Sequence, residues 1–442
     1  MALLDDNVPQ PWMGRTTLVF ALTAASLGLG NIFRLPYLMG EHGGAPFFAV
    51  YVLFLLLFTI PMLVAEVMLG SHGRGSPVAA IRWVADQAGV STFWSGLGVL
   101  QIIVGLLLAV EMSIAVMWFV ERAGLLQQND LAAASPQDVA EQLARSLGSF
   151  ERQWWFLFPI VATLTFMGAV GVRWVMVFIG WIVFPAFAVA MLGLVGYVLA
   201  NGDIQATDEF LFARRWDQLE LTLFVDAGAA ALTTLAIGSG VGLCFGARTP
   251  RKVSLLRSVT AAALLDVTFS MMMAIIINGL LFAVNIAPAE GLGIPLIGLP
   301  YAFANLPLGD WWGMIFFSAI SLACFATGIA VIEPAILWLK EVLAWQRALV
   351  SALLGTLILL VGSFALQQGG VFLAGLDALL ALLIPLSALA VALFVGWRVP
   401  RPIVRGELYR EPRWLFLLWW LLIRLIVPTM LLLIIAWRWL LV

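Results

Sequence analysis

Charge is scarce in this chain. Asp, Glu, Lys and Arg make up 11% of its 442 residues, against about 25% in an ordinary soluble domain. So little charge cannot coat a water-soluble globule, and that class is excluded. Histidine and cysteine are rarer still, with two of each. His42 and His72 stand near loops, and no H-E-x-x-H run or Asp–Asp metal pair occurs, which argues against metal-dependent hydrolysis. A serine nucleophile in GSG at 238–240 would need a base within hydrogen-bond reach, and none is offered. Cys244 and Cys324 both fall inside apolar runs, so no disulfide framework can be read from them. The net charge of −2 gives no attraction for nucleic acid. MALLDDNVPQPWMGR has neither a basic n-region nor a small-residue cleavage site, so no signal peptide is expected.

What the sequence has in abundance is apolar length. Hydrophobic residues make up 63% and the mean hydropathy is +1.04. Runs of about 20 apolar residues, each enough to cross a hydrocarbon core, recur at 15–40, 44–70, 92–120, 153–170, 174–200, 221–247, 255–285, 311–340, 348–366, 371–397 and 414–440. No stretch alternates as a barrel strand would. An all-α integral membrane protein is expected. With the N-terminus in the cytoplasm, Arg15, Arg74, Arg82, Arg173, the 248–257 loop, Lys340, Arg347 and the arginines of 398–413 lie inside. Arg122, Arg145, Arg152, Arg214, Arg215 and Arg438 lie outside, so the excess of positive charge is cytoplasmic. The C-terminus is then external. The acidic segments 121–152 and 201–220 are expected to lie over the outer face with short helices, and TPRKVSLLR (249–257) serves as a topology signal.

Two of these runs contain residues that spanning alone does not explain. The first carries SLGLGN at 26–31 and the sixth AIGSGVG at 236–242. Five runs precede the sixth, and an odd number of crossings inverts whatever follows. Matched glycine interruptions in two halves point to a transporter site. Unwinding exposes peptide groups in hydrocarbon, which is tolerated only where they line a cavity or meet a ligand. The freed carbonyls suit a cation, and the freed N–H groups an anion. Glycine for close helix packing is the competing explanation.

Three runs make the chain recognisable. GLGNIFRLPY (28–37), EHGGAPF (41–47) and IPMLVAEVMLG (60–70) resemble the G-L-G-N-x-x-R-x-P-Y, E-x-G-G-x-x-F and I-P-x-x-x-x-E-x-x-x-G patterns of the neurotransmitter:sodium symporters, in particular the bacterial leucine-transporter-like members. The resemblance is strongest over residues 12–70, persists through the sixth to eighth runs and is weak in the last. It implies eleven transmembrane helices in a five-plus-five inverted repeat with discontinuous first and sixth helices. The corresponding divisions are a cytoplasmic tail (1–14), a first repeat (15–205), a second repeat (206–400) and an eleventh helix (401–442). It implies sodium-coupled import of a small amino acid or similar solute by alternating access, in a plasma membrane (the inner membrane in bacteria), by a monomer or homodimer.

The resemblance also assigns residues. A first sodium site falls to the carbonyl of Ser26 and the side chains of Asn31, Thr234 and Asp266. Asp266 stands where the family usually has asparagine, which makes this site more anionic. A second sodium site falls to the carbonyls of Ala24, Leu27 and Ala323 and the hydroxyl of Thr327; Ala326 replaces a second hydroxyl. Chloride-dependent relatives use residues matching Tyr51 and Ser270 plus a glutamine. Ala230 replaces that glutamine, so no chloride requirement is expected. Arg34 and Asp377 match an outer gate. Trp12 and Glu341 match an inner one, but its arginine is missing from VPQP (8–11), and Arg248 or another base of the 248–257 loop is the expected substitute.

The substrate pocket is implied at Ser26, Gly28, Gly30, Leu108, Glu111, Met112, Thr233, Thr234, Ala236, Ser239, Thr327 and Val331. Gly28 stands where monoamine carriers have an aspartate. Met112 replaces a carboxylate-binding tyrosine, and Thr233 and Ser239 replace aromatic residues. These changes disfavour a large hydrophobic amino acid. Two substrates stay open: an amino acid held by sodium and the exposed amides, or a cationic or zwitterionic amine or osmolyte whose positive group meets Glu111. A channel and a transport-inactive sensor on the same fold are the remaining rivals.

Overall fold

The computed structural model describes residues 11–12, 14–128, 131, 134–289, 291 and 293–440. Its regular elements are helical, and the one extended pairing among the described residues is the bridge between Gly44 and Arg214. Residues 15–41 form two pieces, α1 (Arg15–Ser26) and α2 (Leu35–Glu41), with a π turn over Gly30–Arg34 between them. Among the described residues, ten stretches are long and apolar enough to cross a membrane. They are α3 (Ala45–Gly73), α4 (Thr92–Gln127), α5 (Phe150–Val170), α6 (Val172–Asn201), the stretch Leu221–Ala247, α9 (Leu255–Ala283), α10 (Gly309–Leu343), α11 (Arg347–Gln368), α12 (Gly370–Arg398) and α13 (Arg413–Trp437). Leu221–Ala247 is itself divided into α7 (Leu221–Thr233) and α8 (Val241–Ala247). These match the expected runs, with both expected interruptions present.

The short helices Pro136–Gly148 and Ile204–Leu211 occupy the two acidic segments, as expected. The first opens with a capping box between Ser135 and Asp138, and the hydrogen bonds from Ser135 hold the Asp138 carboxyl below its usual range. The third span runs past the expected end at 120. Helix α4 continues to Gln127, so Glu121 and Arg122 are buried helical residues rather than loop charges. Glu121 accepts hydrogen bonds from Ser146 at 2.6 Å and Arg152 at 2.9 Å, so its charge is matched within the fold.

Close approach of backbones organises the interior. Helix α3 packs on α8 and α10 runs along α4. Each contact is made where a side chain is missing: a Cβ at Gly246 would lie 2.1 Å from the carbonyl oxygen of Val67, and one at Gly105 2.6 Å from that of Val331. Lipid is as apolar as leucine, so dispersion between such close surfaces replaces the hydrophobic drive of soluble proteins. Gly246→Leu is therefore expected to force α3 and α8 apart and to destabilise by at least about 1–3 kcal/mol. Gly196→Leu, which has open space around its Cβ position, should leave the melting temperature unchanged. Equal melting of the two variants would contradict this packing account.

Candidate functional site

The first interruption begins where α1 ends at Ser26, with Leu27 leaving helical geometry at φ −72°, ψ 63°. The N–H of Gly28 then turns back onto the carbonyl of Ser26 at 2.7 Å. The second is more strained. Leu235 and Ala236 adopt φ of 63° and 51°, and Gly238 and Gly240 lie at 78° and 79°. The two glycines take this region freely, whereas Leu235 and Ala236 each cost about 1–3 kcal/mol.

Neighbouring helices hold that strain. The buried Glu66 of α3 accepts the Gly238 N–H at 2.9 Å, and Gln101 of α4 donates to the same carboxylate oxygen at 2.9 Å. Ser387 of α12 donates to the Gly238 carbonyl at 2.9 Å. Ser239 turns its hydroxyl onto the Ala236 carbonyl at 2.5 Å. Gly242 belongs to this arrangement for a different reason: a Cβ there would lie 2.5 Å from Glu66 Oε2. Thus AIGSGVG spends two glycines on the turn and one on making room for an acid.

The two interruptions face each other. A Cβ at Gly30 would lie 3.5 Å from the hydroxyl of Thr233. Beside them Ser26 Oγ donates to Asp266 Oδ1 at 2.7 Å, and both residues are buried. Thr234 is within 3.2 Å of the Tyr51 hydroxyl, which lies in the field of Asp266. Ser26, Thr234 and Asp266 are thereby gathered around one place, while the Asn31 side chain lies outside the described residues. A second oxygen cluster lies on the other side of α1. Thr327 donates to the carbonyls of Ala323 at 3.2 Å and Ala24 at 3.5 Å, with Leu27 buried at the break. All of these donors are oxygens, which suit a hard alkali cation. Among the described residues no group of three His, Cys, Asp or Glu side chains could hold a transition metal.

The expected pocket divides by exposure. Gly28, Gly30, Leu108, Glu111, Thr233 and Ala236 are partly or fully exposed, whereas Ser26, Met112, Thr234, Ser239, Thr327 and Val331 are buried. Met112 packs towards Gly328 of α10, whose Cβ position lies 3.8 Å from its own Cβ. Val331 is the residue whose carbonyl backs Gly105. Asp377 of α12 acts electrostatically on Glu111, and Arg34 acts on Asp377.

The residues expected to form the inner gate are partnered differently from the expectation. Arg248 does not serve Glu341. It donates to Glu333 at 2.6 Å and to the Cys244 carbonyl at 3.1 Å. Arg347 also bonds both oxygens of Glu333, one of them at 3.1 Å. Glu341 instead accepts the N–H of Ser76 at 2.8 Å and the Ser76 hydroxyl. Glu333 lies deeper on α10, where an unpaired carboxylate would be most costly, so it takes both guanidiniums. Trp12 closes over this end, with its backbone N–H 2.7 Å from the Arg248 carbonyl, its indole N–H 3.0 Å from that of Phe245, and its ring edge-on to Phe245.

A helical membrane bundle whose interrupted helices meet beside clustered oxygen donors has the build of a carrier rather than an enzyme. Residues 10–125 match the model of the sodium:neurotransmitter symporter family. An uncharacterised sodium-dependent transporter of Bacillus subtilis is 24% identical, over 96% of both chains. A sodium- and chloride-dependent GABA transporter of Drosophila melanogaster is 19% identical, over 82% of this chain and 43% of its own. The crystal structure of MhsT in complex with L-phenylalanine has the same fold, with a TM-score of 0.85 at 23% identity over 97% of this chain and 99% of that one. The first quarter of the chain thus matches that family's model, and nearly its whole length resembles a sodium-dependent transporter.

Removing the acid shared by Arg248 and Arg347 should be severe. Glu333→Ala leaves two guanidiniums without their partner, a loss of about 3–5 kcal/mol for a buried pair. In a Cys324→Ser background, maleimide labelling of Cys244 is expected to accelerate as α8 and α10 part. Unchanged labelling and unchanged melting would contradict the role of Glu333 in closing this end.

Proposed function

We propose that the protein is a sodium-coupled symporter that imports a small amino acid or a similar solute by alternating access. The observation that carries this reading is the buried Ser26–Asp266 contact beside two facing helix breaks. Carbonyls at the break in residues 26–30 and the Asp266 carboxylate supply negative potential for the ion. The freed N–H groups of the second break supply the opposite potential for a substrate carboxylate. In this reading the first sodium is bound by Ser26, Asn31, Thr234 and Asp266, and a second by Ala24, Leu27, Ala323 and Thr327.

Residues 15–41 and Leu221–Ala247 are the discontinuous first and sixth of eleven spans in two inverted repeats (15–205 and 206–400), with the N-terminus cytoplasmic and the C-terminus external. The closely bonded end at Trp12 and Glu333 supports an outward-facing state. Trp12 and the Glu333 cluster must separate for release inward, and Arg34 must close on Asp377 to cover the bound solute. Chloride is not required, because Asp266 provides a fixed charge where Ala230 cannot orient an anion. Glu111 supports a second reading. It is partly exposed near Asp377, so a cationic or zwitterionic amine could present its positive group there.

Purified protein should melt higher in sodium chloride than in choline chloride. Sodium at about 100 Kd adds about 2.7 kcal/mol. Asp266→Ala should reduce that shift, and an undiminished shift would exclude the first ion site. Sodium-driven uptake should survive replacement of chloride by gluconate; collapse would refute chloride independence. Glu111→Gln should leave the sodium shift intact, and a fall in uptake of cationic solutes alone would favour the second substrate class.

A further inference from the structure

The last two membrane helices meet at paired π turns, Phe394–Arg398 in α12 and Leu422–Ile426 in α13. Gly396 allows the approach, since a Cβ there would lie 3.1 Å from the Cα of Arg424. Arg424 is an arginine within an apolar span, about 16 Å along the helix from Arg413 at 1.5 Å per residue. It is exposed, among outward-facing leucines such as Leu421 and Leu425. Its guanidinium lies over the ring of Trp397, 4.8 Å from the centroid, and the Trp397 indole N–H donates to the Arg424 carbonyl at 3.0 Å.

Helical side chains lean towards the helix N-terminus. The stack on Trp397 therefore holds the charge towards the end where α12 gives way to the short helix Arg401–Glu407. That end is strongly basic. Arg398, Arg401, Arg410 and Arg413 are exposed and Arg405 is half-buried. Both acids of the connector are engaged elsewhere. Glu407 accepts from Ser71 and His72, each at 3.0 Å, and Glu411 from Ser254 at 2.5 Å. Among the described residues no ion pair neutralises any of these arginines. A charge set against hydrocarbon needs a counter-charge or water, and a basic, tryptophan-lined helix junction at the membrane edge fits a lipid headgroup.

We propose that Arg424 and Trp397 hold the phosphate of an anionic phospholipid at the junction of α12 and α13, in the leaflet facing the 399–412 connector. The phosphate oxygens accept from the guanidinium fork, Trp397 keeps that fork flat, and the acyl chains lie along the exposed leucines. The inference needs only the membrane placement of these helices. It stands or falls independently of sodium coupling.

The test uses the full chain purified in detergent and supplemented with phosphatidylglycerol or phosphatidylcholine. Melting temperature and lipid retention, by native mass spectrometry, are both recorded without sodium. Phosphatidylglycerol should raise the melting temperature more than phosphatidylcholine and remain bound. Arg424→Gln should weaken that retention roughly five- to tenfold, with Arg424→Lys intermediate. Equal effects of the two lipids on the unaltered protein would overturn the proposal, as would unchanged retention by a folded Arg424→Gln variant. Inorganic phosphate reproducing the whole shift would also overturn it, by assigning the site to a free anion.

Discussion

A peptide group that leaves helical hydrogen bonding inside a membrane has to find another partner, and the centre of this molecule is arranged around that requirement. At the second break Glu66 takes one N–H, Ser387 serves one carbonyl, and the Ser239 hydroxyl serves another. These bonds come from α3, α12 and the break itself. The strained Leu235 and Ala236 conformations persist because the surroundings over-determine them. Once neighbouring helices have satisfied some of these groups, the others are free to face a ligand. The break is thus held by its neighbours, so in the proposed reading its peptide dipoles would meet a ligand without first reorganising.

The two ends of the cradle are treated differently. At one end two guanidiniums share one buried acid, Trp12 bonds the Arg248 and Phe245 carbonyls, and Ser76 holds the last acid of α10. At the other end Arg34 acts on Asp377 and Asp377 on Glu111, in a partly exposed setting. A dry, fully bonded cluster is slow to part, whereas hydrated charges separate at small cost. The asymmetry gives a physical basis for a molecule resting with one side shut.

Much of this was legible in the residues. Long apolar runs located the helices, and glycines in SLGLGN and AIGSGVG located both breaks. An acid at position 266, deep in an apolar run, marked the centre. What periodicity did not reveal were the partners that come from elsewhere in the chain. Glu66 stood in view within IPMLVAEVMLG, yet nothing local says that it reaches Gly238, 172 residues away. Glu333 was passed over because Glu341, nearer the loop, better matched the expected gate, and burial could not be read from IEP alone. Glu121 and Arg122 were read as loop residues because charge normally ends a span. Here they pair beneath the outer helix Pro136–Gly148 instead. Met112 and Val331, expected to line the pocket, are buried against Gly328 and Gly105, which the sequence pattern did not reveal.

The central claim is that peptide oxygens at the first break, together with Asp266, bind an alkali cation. Equilibrium binding of radioactive sodium to the purified protein tests it most directly. The account predicts saturable binding of one or two ions per chain, displaced by excess unlabelled sodium and not by choline. Binding that never saturates, or that choline displaces equally well, would contradict it.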